Sequence, residues 1–312
     1  MSSPSPLRPG TPDPAALRRE RSILLACLLD WALILPFLAV GLSANSLTLV
    51  AEAIRGSLMV VLEMVLLVVL RRIHRGRITE YDYGAAKIEE FANLAIGVAM
   101  GAAGVWITIS AASRWLFPPE QEGLGLVLAT ALSLANVVMN GIALRALWSA
   151  GRDGTSAIMT VQIRSRTVKL ASSGIVAVAI AVNAAAQVIG GAPPWLAPLA
   201  EAIGTGFVGL VMIQLAISLW RESVPQLLDR SLDESRQASI NRALAGHFAD
   251  YDALLEVKSR IAGKQAVVEI ALGFERERRI GEIQRVADAV VADLRALIPG
   301  AVVTVTPVAL PA

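Results

Sequence analysis

The sequence predicts a polytopic α-helical membrane domain with six transmembrane helices, followed by a small cytoplasmic α+β domain. Its composition supports the first part, because 55% of the 312 residues are hydrophobic and only 17% are charged, which is too apolar for an ordinary soluble globule. Six apolar runs of about 20 residues each are long enough to cross ~30 Å of hydrocarbon. After residue 222, charged and apolar residues are mixed as they are in soluble domains.

The apolar runs lie in a predicted transmembrane domain, residues 22–222. The preceding segment, 1–21, is rich in proline and serine and ends in basic residues, so we expect a disordered tail with a basic anchor. In chain order, the predicted transmembrane helices cover residues 22–42, 46–70, 91–113, 125–148, 168–190 and 198–220.

The charges between the runs predict the orientation in the membrane. Segment 71–77 carries four arginines, whereas segments 43–46 and 190–198 carry no charge. Because positively charged loops stay in the cytoplasm, both termini and segment 71–77 are expected there. We therefore expect an integral protein of the bacterial inner membrane, with lipid around its six helices.

Residues 223–312 form the predicted cytoplasmic domain. In chain order, its expected elements are a helix at 233–247, strands at 253–263 and 266–274, a helix at 279–298 and a strand at 301–307. Asp233 is a candidate N-cap for the first helix, and His247 is interpreted as an ordinary exposed helix residue. The order α-β-β-α-β indicates one small sheet with helices on one face.

Several ionisable residues fall inside the apolar runs, and their spacing indicates where they point. Four residues of the second run share one helix face: Glu52, Arg55, Met59 and Glu63. Spacings of three, four and four residues place them within a stripe about 80° wide. A charge at the centre of a bilayer costs at least ~2.5–3.5 kcal/mol on insertion scales. The stripe is therefore predicted to face the inside of the helix bundle.

A similar polar face, with Ser165 and Lys169, lies where the fifth run begins. Arg55 and Lys169 are expected near the middle of the bundle, where their positive charges need counter-charges. The candidate counter-charges are the carboxylates of Glu52, Glu63 and Glu201. Asp30, in the first run, is expected either to pair with an amide on a neighbouring helix or to relay protons.

Small and amide residues inside the runs are expected at contacts between helices. Segment 97–104, with the sequence GVAMGAAG, has small residues at a spacing that favours a tight helix contact. No predicted strand precedes these glycines, which argues against a nucleotide-binding loop. Asn183 and Gln187 are expected to form hydrogen bonds across helices.

Three local motifs follow one another along the chain: NSLTLVAEAIRGSL at 45–58, YDYGAAKIEEFANL at 81–94 and SLWRESVPQLLDRSLDE at 218–234. Together with the six apolar runs and the α-β-β-α-β domain, they resemble the cation diffusion facilitators, the zinc and manganese exporters of bacteria and eukaryotes. The resemblance covers nearly the whole chain after residue 20. It implies a secondary transporter that works as a cation-efflux antiporter and forms a homodimer in which the cytoplasmic domains pair.

The sequence departs from that family at the intramembrane metal site. The resemblance implies four metal-binding positions, two on the second helix and two on the fifth, which in this chain are Arg55, Met59, Ser165 and Lys169. None of them is a good ligand for a divalent cation, because zinc prefers thiolate, imidazole or carboxylate, and a guanidinium has no lone pair to donate. We therefore expect an atypical member that lacks the family's metal ligands in the membrane.

Two functions stay open for such a chain. The first is a secondary transporter of the cation diffusion facilitator type, with or without proton coupling, whose altered site takes a small cation or a proton. The second is a transport-inactive relative that acts as a structural or regulatory membrane protein. No combination of nucleophile, base and orienting group stands out, so we expect no enzyme and no cofactor. A net charge of +2 gives no indication of nucleic-acid binding.

Overall fold

The structure is a computed structural model that describes six stretches of the chain. These are residues 14–74, 86–121, 123–150, 157–189, 192–262 and 265–311. Within them, the side chains at 14–23, 72–74 and 157–166, and at some single positions, fall outside the description. The described part contains eight α-helices and three β-strands.

Six long helices make up the first two thirds of the chain. They are α1 Pro14–Ser43, α2 Leu47–His74, α3 Ala86–Leu116, α4 Gly123–Ala150, α5 Ala157–Val188 and α6 Leu196–Leu227. Each of these helices overlaps one of the six apolar runs that the sequence predicts as membrane helices.

Helix α1 begins earlier than the sequence predicts. Its first residue, Pro14, lies inside segment 1–21, the predicted disordered tail. Proline at the first helical position already has the φ angle that a helix needs, and most of the residues from Ala15 to Glu20 have high helix propensity. These local preferences outweigh the proline-rich and serine-rich composition that favours disorder. Residues 1–13 of the predicted tail lie outside the described part.

Four of the six helices are long and apolar enough to cross a membrane, judged by length and composition over the described residues. These spans are Glu90–Leu116, Leu124–Ile142, Thr167–Val188 and Leu196–Leu227. Helix α1 contributes a shorter apolar stretch, Asp30–Ser43. Helix α2 carries three charged residues within its apolar part. The chain is an integral membrane protein with four clear spans, and the two further spans stay a prediction.

The chain divides into two compact units. The first, called the membrane unit, contains Met1–Arg77 and Ala95–Leu219, and the second, called the C-terminal unit, contains Ile78–Leu94 and Trp220–Ala312. The start of α3 thus belongs to the C-terminal unit, whereas the predicted domains simply change at residue 222.

The larger apolar core of the membrane unit draws residues from all six helices, and a smaller one joins Cys27, Ile34 and Val60. Buried members of the larger core include Phe37, Leu49, Met100, Ala129, Ile180 and Met212. Large apolar residues such as Ile109, Ile142 and Leu210 are exposed on the outside of the unit. This distribution is expected for helices whose outer faces meet lipid instead of water.

Helices α3 and α6 approach each other closely at two glycines. A Cβ atom at Gly104 would lie 2.9 Å from the carbonyl oxygen of Gly209, and a Cβ atom at Gly209 would lie 3.0 Å from the carbonyl oxygen of Gly104. Small residues allow this approach of two backbones inside a membrane. The tight helix contact predicted for segment 97–104 is confirmed.

The C-terminal unit contains a small three-stranded sheet. Its elements are α7 Glu234–Gly246, β1 Ala253–Ala262, β2 Gln265–Phe274, α8 Ile280–Leu297 and β3 Val302–Ala309. The strand order is β1-β2-β3, with β1 antiparallel and β3 parallel to the central strand β2. The predicted order α-β-β-α-β is confirmed.

Local sequence signals explain the elements of the C-terminal unit. Asp233 is the N-cap of α7, because its Oδ1 accepts a hydrogen bond from the backbone N–H of Arg236 at 3.1 Å. Alternate residues of β2, among them Val268, Ile270 and Leu272, are buried in one core with residues of α7 and α8. The period of two places these side chains on one face of the sheet, which the two helices cover.

Candidate functional site

The charged face of α2 carries an ion pair that forms within the helix. Arg55 Nε donates a hydrogen bond to Glu52 Oε2 at 3.0 Å, and Arg55 Nη2 donates a second one to Glu52 Oε1. The two side chains are only 12% and 9% exposed. A separation of three residues makes them neighbours on the helix surface. Arg55 therefore contacts a counter-charge on its own helix.

A second group of ionisable residues, called the Asp30 group, contains Cys27, Asp30, Glu63 and Lys169. Lys169 Nζ lies 4.0 Å from Asp30 Oδ1, and the two side chains are 37% and 35% exposed. Glu63 Oε2 accepts a weak hydrogen bond from the Cys27 thiol, with 3.7 Å between sulfur and oxygen. Cys27 and Asp30 are three residues apart on α1, so they are neighbours on the helix surface.

The ion pair and the Asp30 group lie at different depths in the bundle. Eight residues of α2 separate Arg55 from Glu63, which corresponds to ~12 Å along the helix. Lys169, on α5, lies beside Asp30, on α1. Its expected place with Arg55 near the middle of the bundle stays a prediction.

The two remaining positions of the predicted transport site, Met59 and Ser165, carry no charge. Met59 packs against the apolar core of the membrane unit, in the same cluster as Leu58. Its thioether is a soft ligand and does not suit hard cations. The side chain of Ser165 lies outside the described residues.

The carboxylate of Glu201, on α6, is buried near the start of α2. It accepts hydrogen bonds from Ser46 Oγ at 3.2 Å, from the backbone N–H of Thr48 at 3.0 Å and from Asn183 Nδ2 at 3.0 Å. Thr48 Oγ1 also lies 2.9 Å from Thr205 Oγ1. All five residues are at most 3% exposed. We call these five residues the Glu201 cluster.

Glu201 contacts neither of the basic residues for which it is a candidate counter-charge. Its hydrogen bonds come from neutral groups, and Arg55 and Lys169 contact Glu52 and Asp30 instead. Seven residues of α2 separate Thr48, a partner of Glu201, from Arg55, which is ~10 Å along the helix. The Glu201 cluster is therefore a third polar level in the membrane unit.

Amide side chains connect the Glu201 cluster with the connecting segments at this end of the bundle. Gln187 Nε2 and Asn183 Nδ2 both donate to Gln121 Oε1, at 2.8 and 3.0 Å. Gln121 Nε2 in turn donates to the carbonyl oxygen of Asn45 at 3.1 Å, and Arg114 Nη1 donates to the same oxygen at 2.6 Å. The predicted hydrogen bond across helices is confirmed for Asn183, which donates to Glu201 on α6. Gln187 instead contacts Gln121, in the segment between α3 and α4, and Asn183 on its own helix.

The hydroxyl residues of this cluster, Ser46, Thr48 and Thr205, are not predicted from the sequence as site residues. A weak signal does exist, because Thr48 precedes Glu52 by four residues and Thr205 follows Glu201 by four residues. Each hydroxyl thus lies one helical turn from an acidic residue. The sequence pattern does not tell which helices face each other, so it does not predict that Thr48 on α2 meets Glu201 and Thr205 on α6.

The arrangement of charges limits what the membrane unit can bind. Over the described residues, no group of three or more His, Cys, Asp or Glu side chains is placed to hold a metal ion. Glu52 and Asp30 each lie against a basic side chain. A neighbouring positive charge opposes the binding of a divalent cation at such a carboxylate. These contacts therefore do not favour coordination of a divalent metal by Glu52 or Asp30.

The comparison with protein families concerns the same part of the chain. A family model described as the cation efflux transmembrane domain matches residues 23–228, from within α1 to the residue after α6. The chain belongs to the cation efflux family. A comparison with curated proteins found no match. The resemblance to cation diffusion facilitators is thereby confirmed, and the chain is a cation transporter of this family, whose members are transporters and not enzymes.

The cation efflux match includes the three groups of polar residues that lie at different depths in the membrane unit. It covers all the residues of the ion pair, the Asp30 group and the Glu201 cluster. Since the matched region is the transmembrane domain of a transporter family, these levels are the candidate transport site of this cation efflux protein.

His247, at the C-terminal end of α7, joins two carboxylates in the C-terminal unit. Its Nδ1 lies 3.1 Å from Asp250 Oδ2, and its Nε2 lies 3.0 Å from Asp293 Oδ2. Burial by itself lowers the pKa of His247, but the hydrogen bonds and charges of the two carboxylates outweigh it and raise the pKa. The side chain is 15% exposed, so its interpretation as an ordinary exposed residue is wrong.

Proposed function

We propose that this cation efflux protein is a secondary transporter that exports a small cation in exchange for protons, through a site altered from that of its family. The transport-site positions are Arg55, Met59, Ser165 and Lys169. The carboxylates proposed to exchange protons or to balance charge are Asp30, Glu52, Glu63 and Glu201. The observation that supports the proposal most strongly is the buried Glu52–Arg55 ion pair on α2.

This ion pair is better explained by transport than by stability. Moving two charges out of water costs several kcal/mol per ion, and apolar residues of similar volume are often as stable or more stable in the same place. Ionisable residues inside membrane helices are rare, and they often mark pathways for ions and protons. Glu52 and Arg55 therefore point to an ion pathway along α2.

Protonation of Glu52 is the proposed step that links this pathway to transport. The ionised carboxylate holds the guanidinium of Arg55 with two hydrogen bonds. A proton on Glu52 removes its charge, and Arg55 then turns toward Asp30 on α1. Glu52, no longer paired, exchanges its proton for a small cation. The return of Arg55 displaces that cation and restores the pair.

A monovalent cation suits this cycle better than zinc. One carboxylate balances one positive charge, while Arg55 and Lys169 repel a divalent ion. We therefore expect the purified chain to retain no zinc in the membrane unit after washing with a chelator. Zinc that survives the wash, and is lost on Met59→Leu substitution, contradicts this expectation.

Flux measurements in proteoliposomes test the transport proposal. Vesicles with a pH gradient are exposed to Na⁺, K⁺ or Zn²⁺, and proton movement is followed with an internal dye. We expect the wild-type protein to exchange protons for a monovalent cation and Glu52→Gln to lose this exchange. Glu222→Gln, an exposed carboxylate on the same helix as Glu201, is the matched control and is expected to keep it.

Two results would reject parts of this proposal. Exchange with Zn²⁺ alone rejects the proposed monovalent substrate, although the chain would still be a transporter. No exchange with any cation, in vesicles whose protein is correctly folded, rejects transport itself.

A transport-inactive relative with a structural or regulatory role is the second candidate. The observation that favours it is that Glu52 and Arg55 neutralise each other within one turn of α2 and need no other helix to do so. A static pair of this kind keeps the family fold without moving an ion. Normal stability and normal membrane insertion, combined with no flux under any gradient, would support this candidate.

We also propose that the protein forms a homodimer in the bacterial inner membrane, with both termini in the cytoplasm. The four arginines of segment 71–77 support the orientation, and the family resemblance supports the dimer. Cysteine labelling of intact cells tests the orientation, because Cys27 is the single cysteine and is buried. A cysteine placed at Pro193 is expected to react with an impermeant reagent, and one placed at Ser231 is expected to be protected.

A further inference from the structure

We infer that the Glu201 cluster is a separate binding site for one monovalent cation, a proton or an alkali-metal ion. Its members are Ser46, Thr48, Asn183, Glu201 and Thr205. The inference goes beyond the proposed function, because it concerns another level of the membrane unit and does not depend on whether the Glu52–Arg55 pair transports anything.

The charge of Glu201 is the first reason. The residue is 3% exposed, and the hydrogen bonds to its carboxylate within the described chain come from a hydroxyl, a backbone N–H and a side-chain amide. These donors carry no net charge. A buried carboxylate without an opposite charge nearby costs free energy, which a bound cation would offset. One carboxylate balances one positive charge, which selects a monovalent cation.

The oxygen atoms around Glu201 are the second reason. Ser46 Oγ lies 3.2 and 3.3 Å from the two carboxylate oxygens, and Thr48 Oγ1 lies 3.3 Å from the carbonyl oxygen of Glu201. Thr205 Oγ1 adds a further hydroxyl, 2.9 Å from Thr48 Oγ1. Carboxylate, hydroxyl and carbonyl oxygens are hard ligands, which suit hard cations and not soft metals. A small shift of these side chains turns several oxygens toward one cation.

A glycine keeps the cluster compact. A Cβ atom at Gly204 would lie 3.0 Å from Thr48 Cγ2 and 3.1 Å from Thr48 Oγ1. Both distances are shorter than ordinary van der Waals contacts, so any larger residue would push Thr48 away from α6. The absence of a side chain at Gly204 therefore brings the hydroxyl of Thr48 to Glu201 and Thr205.

The cluster has connections in two directions. Toward the surface, Asn183 and the exposed residue Gln187 share the Oε1 atom of Gln121, and rotation of these amides opens a route to Glu201. Toward the middle of the membrane unit, Thr48 lies four residues before Glu52 on α2, which is ~6 Å along the helix. The cluster therefore lies about one helical turn from Glu52.

The two arginines that flank the cluster, Arg114 and Arg55, are held by other partners, and Glu120 contacts Asn45 through its backbone. Arg114 donates to the carbonyl oxygen and to Oδ1 of Asn45 at 2.6 and 3.1 Å. Glu120 contributes its carbonyl oxygen to the Nδ2 group of Asn45 at 3.1 Å. Glu52 holds Arg55. None of the contacts described for Arg114 or Arg55 reaches the carboxylate of Glu201, so its charge is left for a bound cation.

Thermal unfolding of the full-length protein in detergent tests the inference. Melting temperatures are measured at pH 5.5 and pH 8.5 in NaCl and in choline chloride of equal ionic strength. A cation that binds only the folded protein raises the melting temperature. If Na⁺ binds, its effect is expected to be larger at pH 8.5, because protons compete with it at pH 5.5. If only protons bind, Na⁺ has no effect on the melting temperature, and binding is detected as the change in the wild-type melting temperature between pH 5.5 and pH 8.5.

Three variants connect these responses to the cluster. Glu201→Gln is expected to lose the Na⁺ response and to respond less to pH than the wild type. Thr205→Val keeps the carboxylate, and we expect it to keep the pH response but to need about tenfold more Na⁺, as the loss of ~1.4 kcal/mol of binding free energy predicts. Glu222→Gln, exposed on the same helix, is expected to behave as the wild type.

The pH and Na⁺ responses of the melting temperature decide the inference, and they do not depend on the result of the flux test. A pH response that depends on Glu201, without a Na⁺ response, supports the proton as the bound cation, and a Na⁺ response that depends on Glu201 supports the alkali-metal ion. Equal responses of the wild type and Glu201→Gln overturn the inference.

If Glu201→Gln does not fold, saturable ²²Na⁺ binding and its competition by protons are measured on the wild type and on Thr205→Val. No binding and no pH dependence in the wild type then overturn it.

Discussion

Arg55 shows how one residue changes what a membrane position can bind. A guanidinium donates hydrogen bonds and accepts none, so an arginine at a metal-ligand position becomes a fixed positive charge. Glu52, three residues earlier on the same helix, cancels this charge with two hydrogen bonds. An ion pair that forms within one helix does not depend on how the helices of the bundle are arranged. It can therefore persist while the rest of the bundle moves.

We expect Glu52→Gln to destabilise the protein by ~3–5 kcal/mol, because it leaves the cation of Arg55 buried without a partner. The double variant Glu52→Gln/Arg55→Met is expected to be close to the wild type in stability, since it removes both charges. Unfolding of the purified variants in detergent measures the difference.

The exposed pair Lys87–Asp229 provides the control, because its side chains are 54% and 39% exposed. Lys87→Met is expected to change stability by less than ~1 kcal/mol. Equal stability of the wild type, Glu52→Gln and the double variant would mean that Glu52 and Arg55 face water, and the account of a buried pair would be wrong.

Among the contacts between helices, the one between α3 and α6 depends on glycine. Each of Gly104 and Gly209 lies where a Cβ atom would meet the backbone of the other helix. Gly209→Ala is therefore expected to lower the free energy of unfolding by ~1–3 kcal/mol through overpacking.

Gly174→Ala on α5 is the control, because a Cβ atom there meets no other atom within 4 Å. Alanine forms helices better than glycine by ~1 kcal/mol, so this control is expected to be neutral or stabilising. Equal effects of the two substitutions would contradict the contact.

His247 makes the attachment of α7 to α8 depend on pH. The carboxylates of Asp250 and Asp293 outweigh burial and raise the pKa of His247 in the folded state. The stabilisation is therefore fully present below the unfolded-state pKa of about 6.5, and it is lost as the pH rises through the higher pKa of the folded state. We expect His247→Gln to weaken the protection of amides in α7 and α8 at pH 6 but not at pH 9, as measured by hydrogen exchange on the full chain. A larger effect at pH 9 would contradict this.

Single elements differ in how well their sequences predict them. Asp233 and the alternating pattern around Ile270 predict α7 and β2 within one or two residues, because caps and period-two burial are local signals. The Glu52–Arg55 contact also follows from a spacing of three residues on one helix. The Glu201 cluster does not follow from the sequence, because Asn183 and Thr48 come from different helices and their meeting depends on tertiary packing.

At the scale of the whole molecule, each of the two units has its own core. The core of the C-terminal unit draws its buried residues from 232–303 alone, with no member from the membrane helices. We therefore expect residues 223–312 to fold as a separate fragment. The sequence lacks a histidine cluster in this region, so the fragment is also expected to dimerise without metal, through apolar faces of its strands and helices.

Circular dichroism and analytical ultracentrifugation test these two expectations on the isolated fragment. A cooperative melting transition with mixed helix and strand signal is the expected result, together with a dimer at micromolar concentration that a chelator leaves unchanged. An unfolded fragment would contradict the independent core, and a folded monomer would contradict only the dimer.

The different depths of the charges along α2 have a consequence for the response to voltage. A charge that moves across the whole membrane in a field of 100 mV changes its energy by ~2.3 kcal/mol. If Arg55 shifts by ~6 Å of ~30 Å, one fifth of this value applies, which is ~0.5 kcal/mol. That energy changes the ratio between the two positions of the guanidinium about twofold. In the proposed cycle, an energised membrane would therefore influence which carboxylate holds Arg55.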